Sequence, residues 1–250
     1  MAFWTLYKRE LSSYFQSVVA YIVLFGSALA QGMVFITLTN FIAQQNYKDQ
    51  SVFQIFFTCA IFWILLFVQV PLITMRVFSE EFKLGTIEML LTAPVREWEI
   101  VLSKFFGALT FFLILWLPVV LDQVALQLFS NPPPPVSWGQ YGTTALTIVL
   151  VGAFYVSLGV FTSVLTKNQI ISAVLCFALI FATFFVALQK WQQHLDAFTL
   201  SWISYVSLLE HFGHAVQGLF DTRPIVYYVS MTAFVLLVTQ RILLGRRLKG

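Results

Sequence analysis

Residues 50–75 read QSVFQIFFTCAIFWILLFVQVPLITM, with no Asp, Glu, Lys or Arg among them. A helix crosses the hydrocarbon core of a bilayer with about 20 mostly apolar residues, so this run is long enough to span. Working outward, residues 11–47 are also charge-free, with an apolar centre at 18–41. Further runs cover 105–121, extendable past Asp122, then 123–166, 168–189 and 224–244. Asn131 and the prolines Pro132, Pro133, Pro134 and Pro135 divide the long run 123–166, because proline interrupts helical hydrogen bonding. Spans are therefore expected at 18–42, 52–75, 100–128, 141–165, 168–189 and 224–244. The runs far exceed barrel strands and do not alternate, which selects helices.

Composition supports the same class. The 250 residues are 59% hydrophobic and only 10% charged, with mean hydropathy +0.85, against roughly 25% charge in soluble proteins. A soluble fold, an acidic disordered segment and a nucleic-acid-binding arm are excluded. With six spans and a cytoplasmic N-terminus, the inner side holds eleven positive charges: Lys8, Arg9, Arg76, Lys83, Arg96, Lys104, Lys167, Arg241, Arg246, Arg247 and Lys249. The outer side holds Lys48, Lys190 and Arg223. This asymmetry predicts that both termini are cytoplasmic. A cleaved signal peptide ending at Ala28-Leu29-Ala30 is the weaker reading, since hydrophobicity continues through residues 33–43. Cys59 and Cys176 fall in different spans and read as small apolar packing residues.

Ahead of the first span, Trp4, Tyr7, Leu11, Tyr14, Phe15 and Val18 recur at helical spacing, with Lys8, Arg9, Ser12 and Ser13 between them. This predicts an amphipathic helix over 2–16 lying on the membrane, its basic pair facing anionic lipid. Between spans two and three, residues 76–104 hold nine of the charged residues, among them Glu80, Glu81, Lys83, Glu88 and Lys104. In this loop Gly85 interrupts a helical turn, Thr86 can cap the next, and Pro94 ends it. A short helix at about 86–91 would present Ile87, Leu90 and Leu91 as apolar knobs, with Glu88 as a charged anchor, to a groove on a soluble partner.

The stretch from Glu80-Glu81-Phe82-Lys83-Leu84-Gly85-Thr86-Ile87-Glu88 through Leu91 and Pro94-Val95, followed by Lys104, resembles the signature of ABC type-2 transporter permeases. Lys8-Arg9-Glu10-Leu11 and Ser17-Val18-Val19-Ala20-Tyr21 resemble that family's elbow helix, and Gly218, Asp221 and Arg223 its Gly-x-x-Asp-x-Arg pattern before the last span. Within the family the chain looks most like the gliding-motility-associated permeases and the permease of nitrous oxide reductase maturation. The resemblance implies a bacterial inner-membrane, multi-pass subunit whose 76–99 loop couples it to a separate ATP-binding subunit through Glu80, Glu81, Lys83, Gly85, Thr86, Ile87, Glu88, Leu91 and Pro94. It also implies two such ATPase subunits per complex, carrying ATP and Mg, and a second copy or a homologous permease completing the pathway.

An independent argument agrees that ATP hydrolysis belongs to another chain. A P-loop requires Gly immediately before its Lys, whereas the seven lysines here follow Tyr7, Tyr47, Phe82, Ser103, Thr166, Gln189 and Leu248. No catalytic residue, cofactor or metal is expected in this chain. An intramembrane hydrolase built on Glu80-Glu81 is weakened by the placement of the pair in a charged loop. An ATPase-coupled scaffold for assembly or mechanical work is the alternative to solute transport.

Remaining candidates line a pathway or an outer gate. Residues 191–223 are too polar to span and too long for a tight turn, and read as short outer re-entrant helices. Within them Glu210, His211 and His214 share a helical turn. Asp122 is the single acid inside an expected span, and Gln31 and Gln69 sit mid-span, where polar groups bond across helices or face a cavity. Gly26, Gly32, Gly107, Gly152 and Gly159 allow close helix approach. The expected fold is an all-α integral membrane protein of six transmembrane helices with an elbow helix, a coupling helix and outer re-entrant helices.

Overall fold

A computed structural model describes residues 2–45, 52–87, 95–130, 136–188 and 205–247. Glu88, Leu91 and Pro94, the proline run 132–135 and residues 191–204 lie outside the described residues. Ten helices are described: α1 (Ala2–Phe15), α2 (Val18–Gln45), α3 (Val52–Thr58), α4 (Ala60–Thr74), α5 (Ser79–Leu84), α6 (Glu97–Phe129), α7 (Trp138–Leu165), α8 (Gln169–Leu188), α9 (Leu208–Val216) and α10 (Thr222–Arg247). Among the described residues there is no strand.

Among the described residues, five helices are long and apolar enough to cross a membrane: Val18–Ile42, Ala60–Leu84, Glu97–Phe129, Trp138–Leu165 and Thr222–Arg246. Gln169–Phe185 is a shorter apolar helix. The 33 residues of α6 rise about 50 Å, well beyond a ~30 Å hydrocarbon core. Its first turns, with Glu97, Glu99 and Lys104, therefore extend toward the charged end.

Local chemistry sets the helix boundaries. Arg96 N donates to Glu99 Oε2 at 3.1 Å at the start of α6, and Ser137 N donates to Gln140 Oε1 at 2.7 Å at the start of α7. The second is half of a reciprocal cap, because Ser137 Oγ also accepts from Gln140 N at 3.4 Å, whereas Glu99 N donates to the backbone carbonyl of Arg96 at 3.0 Å. Gly85, at φ 72°, closes α5 in the left-handed conformation that glycine adopts without strain.

The continuous span expected at 52–75 is divided at Cys59, which adopts an extended conformation between α3 and α4. The Thr58 hydroxyl donates to Gln54 O at 2.9 Å and the Cys59 thiol to Phe56 O at 3.1 Å. Side chains that bond back to their own turn in this way compete with helix continuation. Hydropathy is blind to such a break.

The bundle is packed around α7, which touches α4, α6, α8, α9 and α10. Two glycines make this possible. A Cβ at Gly152 would lie 2.1 Å from Phe112 Cε1, and one at Gly159 only 2.0 Å from Thr74 Oγ1. At Gly107 the Glu10 side chain of α1 comes within 3.1 Å of the same position. Gly26 and Gly32 have open space instead, on the sparsely covered helix α2.

Candidate functional site

The charged end of the bundle is organised by Lys104, four residues into the span expected at 100–128 and only 2% exposed. Its Nζ donates to Glu10 Oε1 at 3.0 Å, to Glu81 Oε1 at 2.8 Å and to Val77 O at 2.9 Å. It also stands 5.1 Å from the centre of the Phe78 ring. One ammonium thus uses its three N–H donors to join α1, the corner between α4 and α5, and α6. A buried ammonium is tolerated only when paired and hydrogen-bonded.

Helix α1 lies along α6, with which it shares its largest contact. Tyr14, 6% exposed, stacks on Phe111 at 4.8 Å and donates its hydroxyl to Ile73 O at 3.2 Å. Burial, and secondarily the Glu10 carboxylate, push its phenol above the ordinary range, while Arg76 opposes them. Tyr7 OH meets Thr110 Oγ1 at 2.9 Å, and since that hydroxyl donates to Phe106 O at 2.8 Å, Tyr7 is the donor. Trp4, 56% exposed, holds Lys8 5.6 Å from its ring centre, and Arg9 is exposed.

The α4–α5 corner is held from behind by α7. Ser163 Oγ accepts from Phe78 N at 2.8 Å and from Ser79 N at 3.0 Å, satisfying two donors at the start of α5. The Ser79 hydroxyl in turn donates to Met75 O. Thr74 sits against Gly159, one turn before Ser163 on the same face of α7. Arg246 of α10 donates to Leu165 O at 3.0 Å and covers the Phe82 ring at 4.4 Å.

Several candidate residues converge here. Glu80 and Glu81 lie on α5 beside Lys104, whereas Lys83 and Gly85 are exposed beyond it. Thr86 is half-buried. Ile87, expected to project as a knob, is 6% exposed and packs into the core of this chain; the amphipathic pattern showed that it is apolar but not which surface buries it.

The other candidates are scattered. Gln69, 3% exposed, donates to Ser27 Oγ at 2.7 Å, and Gln31 Nε2 bonds Ser27 Oγ and Leu115 O at 3.1 Å each. This polar node joins α2, α4 and α6 inside the chain. Asp122 is half-buried near the far end of α6. On α9, His211 is buried and its Nδ1 is 2.9 Å from Tyr228 OH, while His214 is exposed. Burial lowers the His211 pKa to about 4, which keeps the ring neutral. Among the described residues no three His, Cys, Asp or Glu side chains gather as a metal site, and both cysteines are free.

Ser163 and Thr74 were not singled out from sequence, while Tyr14 figures there only as part of an apolar helix face and Arg246 only as an inner-side charge. Ser, Thr and Tyr within apolar runs give no signal until a neighbouring backbone is placed beside them. In the sequence Lys104 figures only as the last charge of the 76–104 loop and as part of the family signature, not as a buried joint.

A family model described as ABC-2 family transporter protein matches residues 1–243. No curated protein matches the chain. With an all-helical bundle, five helices of membrane-spanning length and a family match over nearly its whole length, the chain belongs to the ABC-2 transporter family.

Proposed function

We propose that this chain is the membrane-spanning permease subunit of an ABC transporter, moving a substrate across the cytoplasmic membrane under the drive of a separate ATP-binding subunit docked on the 80–95 loop. Family membership supports the permease role. The observation that carries the coupling reading is the buried Lys104 node, which ties Glu81 on the loop side of the bundle to Glu10 on α1 and to α6. A push on the loop would then move α1 and α6 as one body, the rigid-body behaviour that alternating access needs.

In this reading α1 is the elbow helix at the cytoplasmic surface and Gln169–Leu188 completes six spans. Two ATPase subunits bind ATP and Mg, and a second permease copy supplies the other half of the pathway. Within the family, the resemblance of the 80–95 loop supports a grouping with the gliding-associated and nitrous-oxide-reductase-maturation permeases. Catalysis is confined to the partner.

The test is co-purification of the tagged chain from native membranes, with ATPase activity measured in the recovered complex. A stoichiometric P-loop ATPase is expected, and Gly85→Pro should abolish its stimulation, because proline cannot adopt the φ of 72° found there. Recovery of folded chain without any ATPase, or unchanged stimulation in Gly85→Pro, would overturn the reading.

A further inference from the structure

Beside the Lys104 node, between α1 and the α4–α5 corner, lies an open cavity of about 780 Å³. Its walls carry unmatched charges of both signs. Arg76 donates to Ser17 Oγ at 2.5 Å and rests 5.5 Å from the Tyr14 ring centre. Among the described residues, Arg76 and Arg9 form no salt bridge; the two that are formed both belong to Lys104. Arg9 and Ser13, one turn apart on α1, line the same cavity. Glu80, also in its wall, pairs with no cation among the described residues, and Glu81 spends Oε1 on Lys104 while its buried Oε2 accepts no hydrogen bond.

A partner that satisfies both sets must bring an anion to the guanidinium groups and an N–H-bearing cation to the carboxylates. A phosphate suits arginine, which offers it paired donors. The level of the cavity indicates where such a molecule comes from. Ser17 immediately precedes the span Val18–Ile42, and Arg76 follows α4 where the stretch Ala60–Leu84 turns from charge-free to charged, so the cavity lies where the apolar parts of these helices end. Lipid headgroups occupy that level. Leu6 and Leu84 in the wall offer apolar surface to a glycerol backbone and the first methylenes of its chains.

We propose that this cavity seats the headgroup of a zwitterionic phospholipid with a primary ammonium, phosphatidylethanolamine in chemical class, its phosphate on Arg76 and Arg9 and its ammonium on Glu80 and Glu81. Phosphatidylcholine has no N–H to donate to the carboxylates, and phosphatidylglycerol has no cation for them. The site shares Glu80 and Glu81 with the coupling loop, yet it rests on the cavity's chemistry and the membrane placement alone. Lipid retention by the isolated chain and ATPase stimulation in the complex therefore fail separately.

The experiment is native mass spectrometry of the full-length chain in detergent with equimolar phosphatidylethanolamine, phosphatidylcholine and phosphatidylglycerol. Retention of the ethanolamine lipid is expected at about tenfold over the other two, the scale of one charge-assisted hydrogen bond. Arg76→Gln should lower retention about tenfold and Arg76→Lys should restore part of it. Glu80→Gln, on a half-exposed residue that does not disturb the Lys104 node, should erase the preference over phosphatidylcholine while leaving the protein's melting temperature unchanged. Equal retention of the three lipids, or Arg76→Gln with unaltered retention in a folded chain, would overturn the proposal. Displacement of the lipid by soluble glycerophosphoethanolamine at equal concentration would overturn the bilayer as the source.

Discussion

The two ends of the bundle differ in which contacts predominate. At the charged end a handful of directional bonds does the joining: three N–H donors on Lys104, the Ser163 hydroxyl under the start of α5, and Arg246 on Leu165 O. At the far end the joints are aromatic. Phe62 contacts Phe57, Trp63, Trp116 and Phe212 with ring centres 4.9–5.2 Å apart, and Phe53 meets Tyr141 at 4.8 Å. Within lipid there is no hydrophobic force between helices, so packing and hydrogen bonds carry association. Aromatic faces tolerate sliding, whereas a three-way ammonium bond has one satisfied geometry.

The largest expected effect is at the charged end. Lys104→Met removes the ammonium and leaves Glu10 and Glu81 facing one another, a change of about 3–5 kcal/mol for breaking a buried pair. Thermal unfolding in detergent should show a large fall in Tm, with ATPase stimulation lost in the complex. An unshifted Tm would mean that the node is not the joint it is taken to be. At the far end, Phe212→Ala deletes a ring that is 1% exposed, an expected loss of about 3 kcal/mol. Hydrogen exchange should localise that loss to α9 and α3 and leave α1 protected; exchange rising equally at both ends would erase the distinction.

A smaller effect tests the helix that links the two ends. Gly159→Ala places a methyl 2.0 Å from Thr74 Oγ1, and overpacking of this kind costs about 1–3 kcal/mol. Gly26→Ala, with open space around it, should leave Tm unchanged and serves as the control. A last test concerns pH. His211 has a pKa of about 4 in the folded chain against 6.5 ordinarily, so the unfolded state takes up a proton first. Stability from this residue is fully present above pH 6.5 and declines as pH falls toward about 4. A Tm followed across that window should drop, and His211→Gln should flatten the slope.

Much of this was legible in the chain. The charge-free runs revealed helices, and the bounds at Trp138–Leu165 and Gln169–Leu188 lie within a few residues of the expected 141–165 and 168–189. The cluster Glu80, Glu81, Gly85 marked the loop, and Gly85 takes the left-handed turn expected of a helix-interrupting glycine. The break at Cys59 was not legible, because Thr58 and Cys59 look apolar enough to continue a span, and the extended backbone at Cys59 is seen only in the structure. Gln69 was expected either to bond across helices or to face a cavity, and its bond to Ser27 on a neighbouring helix is the first of these.

The sequence by itself determined the class: apolar runs of span length, an asymmetric distribution of cations and a charged loop with its glycine, all of them one-dimensional properties set by hydration along the chain. Only the tertiary structure decided partnership. Whether Lys104 sits in water or joins Glu10 to Glu81, whether Ile87 projects or packs inward, and whether Gly159 rather than Gly26 is indispensable all depend on which helix lies opposite. Helix faces are uniformly apolar in a membrane protein, so periodicity cannot show which side meets protein and which meets lipid. Contact geometry alone separates them.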